Sequence, residues 1–284
     1  MKNYTQEIAT QIIELLETST APWIKPWSAS ELCMMSPYNP TTNKNYTGIN
    51  FINLFSKTMI TGDARWLTYK QASSVGGQVK KGSKATTVQY WKFEETKIVN
   101  GEKVTVELKQ PRVFYAKVFN GSQIDNLPAI DEVKEEASTF KENSTLEEIL
   151  IKSNAKINHG EDEAFYMPYN DSINLPTKES FISESEYYST ALHELSHWTG
   201  HKSRLNRDMT GSKNSLSYAL EELNAEIGSF MFCAEYGIEF NPTAHISYIK
   251  SWANALEDTP KAIFKASSNA NKIKNFILDI CSNN

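Results

Sequence analysis

Apolar residues at Ile8, Ile12, Leu15 and Leu16 fall on one face of a helix over residues 3–18. Beyond it the pattern changes. Residues 20–120 are rich in aromatics and turn formers, and three runs favour strands: ATTVQYWKF (85–93), KVTVELK (103–109) and RVFYAKVF (112–119). NGEK (100–103) is a hairpin signal between the first two. With helices expected near 48–60 and 68–75, this part predicts an α+β domain, residues 1–127, around a small antiparallel sheet. Around 126–143 the chain turns charged and poor in apolar residues, which marks 128–143 as a linker. A helix at 145–153, short strands near 164–167 and 172–175, and helices thereafter predict a second α+β domain, 144–284.

Two of the later helices carry their own punctuation. Ser183 with Glu186 forms a capping-box pattern, and Gly200 is placed to end that helix. The next runs over 215–237 and closes at Gly237, with Leu216, Leu220, Leu223, Ile227, Phe230 and Ala234 as its apolar stripe.

Within the first of these helices, His193-Glu194-Leu195-Ser196-His197 is an HExxH pattern. Two histidines one helical turn apart project to the same side, so both imidazoles can hold one ion, expected to be a single Zn²⁺. Glu194 lies beside them, where a carboxylate can take a proton from water at the metal. A catalytic zinc needs a third protein ligand, and the helix over 215–237 offers three carboxylates. At about 100° per residue Glu226 lies nearest the apolar stripe, Glu222 farther out and Glu221 nearly opposite. A carboxylate bordering a buried stripe is costly unless paired or metal-bound, which selects Glu226 as the ligand. Glu222 is held in reserve, as an alternative ligand or as a partner that orients a histidine. His201 reads as a loop residue, and His245 as one that caps or packs the last helices; Ser203 stands where a third histidine ligand would be needed.

Composition narrows the setting. The chain has 284 residues, 40% hydrophobic and 22% charged, as in an ordinary globular protein. No stretch approaches the roughly 18 apolar residues of a membrane span, and the first residues lack a signal peptide's basic region and cleavage site. Cys33, Cys233 and Cys281 are far apart and odd in number, as expected of buried thiols in a reducing cytoplasm rather than a disulfide framework. The net charge of −5 conceals an asymmetry: residues 1–127 carry +5 and residues 128–284 carry −10. A basic first half suggests a nucleic-acid partner. Its tryptophans interleave with lysines: Trp23, Lys25 and Trp27 in PWIKPW, Lys80, Lys81 and Lys84 in GGQVKKGSK, then Trp91 and Lys92. Stacking rings next to cations suit single-stranded DNA, in which base faces are open, and no helix-turn-helix or zinc-finger signal points to duplex reading.

The linked motifs carry a resemblance. PWIKPW (22–27), YNPTTNKNYTGIN (38–50), RWLTYKQASSVGGQVKKGSKAT (65–86), VFYAKVFNGSQIDNL (113–127), HELSHWTGHKSRLNRD (193–208), YALEELNAEIGSFMFCAEYGI (218–238) and SYIKSWANAL (247–256) span nearly the whole chain. They resemble the ArdC-type antirestriction proteins of conjugative plasmids and other mobile elements. The resemblance implies an N-terminal domain that binds single-stranded DNA and a C-terminal zincin-like metallopeptidase domain, acting in the cytoplasm on incoming DNA and protecting it from restriction. The expected function is therefore a DNA-binding antirestriction protein with a zinc peptidase acting on an unknown protein substrate, Glu194 being the general base. Two alternatives stand beside it: a DNA-binding protector whose metal is structural, and a regulatory peptidase whose first half docks a protein.

Overall fold

A computed structural model describes residues 2–99, 102–128, 144–212, 215–242 and 248–283. The Asn100–Gly101 turn of the expected hairpin, nearly all of the expected linker, and His245 lie outside the described residues. In chain order the helices are α1 (Lys2–Glu17), α2 (Ala29–Met35), α3 (Gly48–Thr61), α4 (Tyr69–Ser74), α5 (Ser144–Lys152), α6 (Glu184–Trp198), α7 (Leu216–Tyr236), α8 (Ile249–Asp258) and α9 (Ala262–Asn283). The strands are β1 (Tyr38–Asn39), β2 (Lys44–Asn45), β3 (Trp66–Thr68), β4 (Gln78–Val79), β5 (Thr86–Val99), β6 (Glu102–Asn120), β7 (Ile124–Asp125), β8 (Lys156–His159), β9 (Phe165–Met167) and β10 (Ser172–Leu175). Among the described residues no helix is long and apolar enough to cross a membrane.

The chain forms two compact units, and they divide it differently from the partition read from sequence. One comprises residues 1–36, 47–56 and 132–284; the other comprises 37–46 and 57–131. The reason is packing. α1, the Pro22–Ile24 turn and α2 lie against α8 and α7, and Trp27 exchanges backbone hydrogen bonds with Phe240, both 2.9 Å. Trp27, Phe51, Phe55, Phe230 and Phe240 then form an aromatic cluster with ring centroids 5.1–5.8 Å apart. The edge-on pairs among them add to what burial alone contributes.

In this first unit α7 is the central helix, with α6, α8 and α9 packed around it. Ser215 caps its start by accepting from the Tyr218 N–H, and Gly237 ends it in the left-handed conformation (φ +60°) that a side chain would disfavour. Ser183 likewise caps α6 through the Glu186 N–H. The Glu186 carboxylate accepts from the Ile182 N–H rather than from Ser183, so the expected capping box closes one residue early. The sheet beside α6 has the order β8-β10-β9, with β8 parallel and β9 antiparallel to β10. β9 and β10 match the expected strands; β8 was not foreseen.

The second unit is built on a long antiparallel ribbon. The three strand-favouring runs form two strands, because the second and third join into β6, which pairs with β5 from Thr86↔Val118 to Val99↔Glu102. The join is visible as an irregularity: Lys92 pairs with Arg112 and Glu94 with Glu107, leaving residues 108–111 opposite Phe93. β3 extends the sheet only at the base, pairing with residues 118–120 of β6. α4 packs nearby, its Ala72 against Leu67 and Ile124, and Asp63 binds Arg65 through both its backbone and guanidinium N–H groups. Cys233 is a buried free thiol, as expected, whereas Cys33 is exposed.

Candidate metal centre

α6 and α7 bring the HExxH histidines and the α7 carboxylates together in the interior of the first unit. His193 Nε2 and His197 Nε2 face each other at 3.1 Å. Glu222 Oε2 lies 3.4 Å from the first and Oε1 3.5 Å from the second. One ligand atom from each of His193, His197 and Glu222 fits within 4.8 Å of the others, and all three residues are buried. Two imidazole nitrogens on one tetrahedral zinc, each about 2.0–2.1 Å from it, stand roughly 3.3 Å apart, so the observed spacing fits a shared ion.

Glu226, the expected third ligand, is not in this constellation. Its Oε2 accepts from His193 Nδ1 at 2.9 Å, on the far side of the ring. Glu222, the reserve, lies with the two histidines in that group. Burial does not rank the α7 carboxylates, because Glu221, Glu222 and Glu226 are all buried. Glu221, expected to point away, accepts instead from His197 Nδ1 at 3.2 Å. Each histidine thus has a carboxylate on Nδ1, which would hold the proton there and leave Nε2 available to an ion.

Glu221 is itself held by Arg207, a residue that no sequence motif singles out. Arg207 donates from Nε to Glu221 Oε2 (3.0 Å) and from Nη2 to Oε1 (2.6 Å). It also donates to Thr199 Oγ1 and to the Ser196 carbonyl, both at 2.7 Å, so it ties α7 to the C-terminal end of α6. Gly200 makes room for it. Gly200 follows α6 as expected, but its φ is not positive; a Cβ there would lie 2.8 Å from Arg207 Nη2 and 2.9 Å from the His197 carbonyl. Arg204 packs alongside, its guanidinium 3.7 Å from the centre of the Trp198 ring and paired with Asp171. His201 is a loop residue bonded to Ser203, in agreement with the sequence reading.

The electrostatics favour a cation at the centre. Burial works against charge on His193, but Glu222 and Glu226 outweigh it and raise the imidazole well above its usual value. Burial is likewise outweighed at His197, which Glu222 and Glu221 push up to about 9. Burial would raise the partner carboxylates, yet His197 and Arg207 bring Glu221 down to about 2, and the two histidines hold Glu222 far below the usual carboxylate range. A field that retains protons on two buried imidazoles would equally favour a divalent ion between them. The donor set therefore fits a metal.

The centre opens on a cleft of about 570 Å³. Glu194 lines it, as do His193, His197, Glu222, the paired hydroxyls of Tyr218 and Tyr248, and Phe165 and Tyr166 of β9. Of the residues expected to bind DNA, Trp23 and Trp27 are corrected to core side chains. Both are buried, Trp27 donates to the Pro22 carbonyl, and Lys25 lies over the Trp27 ring at 4.0 Å. Sequence cannot separate an exposed ring beside a lysine from a buried ring whose rim the lysine covers. The remaining candidates belong to the second unit: Lys81, Lys84, Trp91 and Lys92 are exposed, and Lys80 is held by the Ser122 carbonyl and Asp125.

A fold of this kind, with the HExxH helix crossing a carboxylate-bearing helix beside a small sheet, defines a zincin-like protein. Its model, a zincin-like metallopeptidase, matches residues 144–269, and the N-terminal domain of anti-restriction factor ArdC matches residues 2–121. Crystal structures of the antirestriction ArdC protein from the R388 plasmid, metal-free and Mn(II)-bound, each align with a TM-score of 0.79 at 34% identity over 98% of both chains. A Sinorhizobium fredii protein, y4eC, is 31% identical over 96% of this chain and 90% of its own length. The DNA primase TraC of Escherichia coli is 47% identical over 98% of this chain, which spans only 27% of that protein. The chain belongs to the ArdC antirestriction family.

Proposed function

We propose that this protein is an antirestriction factor that binds single-stranded DNA and carries a zinc-dependent peptidase site, acting in the cytoplasm on DNA entering a recipient cell. The observation that carries the hydrolytic reading is the buried His193–His197–Glu222 constellation, with Glu194 beside it on the wall of an open cleft. His193, His197 and Glu222 would hold Zn²⁺, with Glu226 and Glu221 orienting the imidazoles. A bound ion there would polarise a peptide carbonyl and acidify water. Glu194 takes the proton from the attacking water and delivers it to the departing amine. β9, the edge strand that lines the cleft, offers backbone groups to an extended peptide. The DNA-binding surface is assigned to the unit of residues 37–46 and 57–131, which holds the exposed Trp91 and Lys92. The excess of basic residues in this part of the sequence supports that assignment.

The test pairs metal content with hydrolysis of unfolded protein substrates in wild type and Glu194→Gln. The variant should keep about one equivalent of metal and lose roughly 10²–10⁴-fold in rate. Undiminished hydrolysis in Glu194→Gln would refute the mechanism. Absence of hydrolysis in a fully metallated wild type would favour a structural metal.

A further inference from the structure

The ribbon of β5 and β6 exposes aromatic rings at a density unusual for a free surface. Tyr90 is 51% exposed, Trp91 53% and Phe93 61%, with Phe114 and Tyr115 each at 39%. Above its base the ribbon has two strands among the described residues. Rings left in water on such a ribbon stabilise little by themselves and mark a surface that receives something.

Strand alternation sorts these rings. Register places Val118, Val88, Ala116, Tyr90, Phe114, Lys92 and Arg112 on one face. Along it Val88 and Val118 are buried, Tyr90 and Phe114 emerge, and Lys92 and Arg112 stand one step further out. Tyr90 and Phe114 are a cross-strand pair with ring centroids 5.5 Å apart and planes 20° from parallel. The two rings therefore form one ledge, anchored at its inner end by core residues and bordered at its outer end by two cations. Trp91 and Tyr115 lie on the opposite face.

Charge says what the ledge receives. Residues 86–93 and 112–120 contain Lys92, Arg112 and Lys117 and no carboxylate. The acids of the ribbon, Glu94, Glu95, Glu102 and Glu107, all lie beyond the irregularity, and Glu95 comes within 3.8 Å of Arg112. A flat aromatic pair with cations next to it is matched by unpaired bases joined through phosphates; a duplex hides the base faces.

We propose that Tyr90 and Phe114 form a stacking ledge for single-stranded DNA, with Lys92 and Arg112 binding the adjoining phosphates. This rests on the single-stranded-DNA reading above and locates it on a surface that replaces Trp23 and Trp27. Unpaired bases lie against the two rings and the strand runs outward over the cations.

The experiment uses the full chain and a fluorescent oligothymidylate, read by anisotropy at several salt concentrations, with a duplex of equal length alongside. Tyr90→Ala with Phe114→Ala should weaken binding by about tenfold or more while leaving the salt dependence nearly unchanged. Lys92→Ala with Arg112→Ala should reduce the slope of log affinity against log salt by about 0.7 per lost contact. Because all four side chains are exposed, thermal melting should match wild type within about 2 °C, which excludes unfolding as the cause. Wild-type affinity in the Tyr90/Phe114 variant would overturn the ledge and leave the DNA reading intact. Failure of the wild type to bind single strands would overturn both. A wild-type dimer that the ring substitutions convert to a monomer, with DNA binding unchanged, would make the ledge a contact between copies and also overturn the proposal.

Discussion

Replacing Arg207 by Met should destabilise the protein severely, although Arg207 touches no candidate metal ligand. The guanidinium is nearly inaccessible to water, as is the Glu221 carboxylate it clasps, and its donors serve Glu221, Thr199 and the Ser196 carbonyl. Arg207→Met fills similar space but leaves the buried Glu221 carboxylate without its guanidinium, with only His197 and Asn224 to offset its charge. Breaking one side of such a pair costs about 3–5 kcal/mol, more than removing both sides. For a chain of this size that is a fall in melting temperature of roughly 6–20 °C. Calorimetric melts of wild type, Arg207→Met, Glu221→Leu and the double variant, all in excess chelator, form a complete cycle. The double variant should recover part of the loss, because an apolar pair no longer contains an uncompensated charge. A loss below about 1 kcal/mol in Arg207→Met, or simple additivity in the double variant, would refute the argument that Glu221 depends on Arg207.

The α7 carboxylates should separate by metal affinity, measured by competition with a chromophoric chelator. Glu226→Gln should weaken binding by about 10–100-fold, as expected for a group that only orients an imidazole, and Glu222→Gln by more. A larger loss in Glu226→Gln would restore Glu226 as the ligand. Asp171 is held below its usual value chiefly by hydrogen bonds from Arg204, and only partly counteracted by burial. Its contribution to stability is therefore present above the unfolded value of about 3.9 and lost as pH falls through the lower folded value. The pair is partly exposed, so Asp171→Asn should cost up to about 1 kcal/mol at pH 7 in urea unfolding, with the difference vanishing in acid. A difference that persists at low pH would assign the effect to packing instead.

The legible parts of this molecule are those whose signal is local. α1 follows from Ile8, Ile12 and Leu16, all buried, and α6 from its Ser183 cap and one-turn histidine spacing. β5 and most of β6 follow from β-branched and aromatic runs, though the merging of two runs across Pro111 was invisible because a bulge depends on the opposite strand. β8 was missed since KINH is four residues long and is a strand only by parallel pairing with β10. The histidines and Glu194 were legible from spacing. The choice among Glu221, Glu222 and Glu226 was not, because on a helix surrounded by others the wheel reports burial and the ligand position depends on where α6 crosses. Arg207 carries no pattern at all until Glu221 is seen against it.

The joining of α1 and Trp27 to α8 and Phe240 within one unit has a consequence for synthesis. A nascent chain emerges from the ribosome with the buried face of α1 complete, yet the helix that receives it begins at Ile249, more than 200 residues later. At about 5–20 residues per second the N-terminal segment waits on the order of 10–50 s for its partner. During that time Ile8, Ile12 and Leu16 lack the α8 face that covers them, while β5 and β6, which follow each other in the chain, are already free to pair. α1 is thus made long before the helix against which it docks.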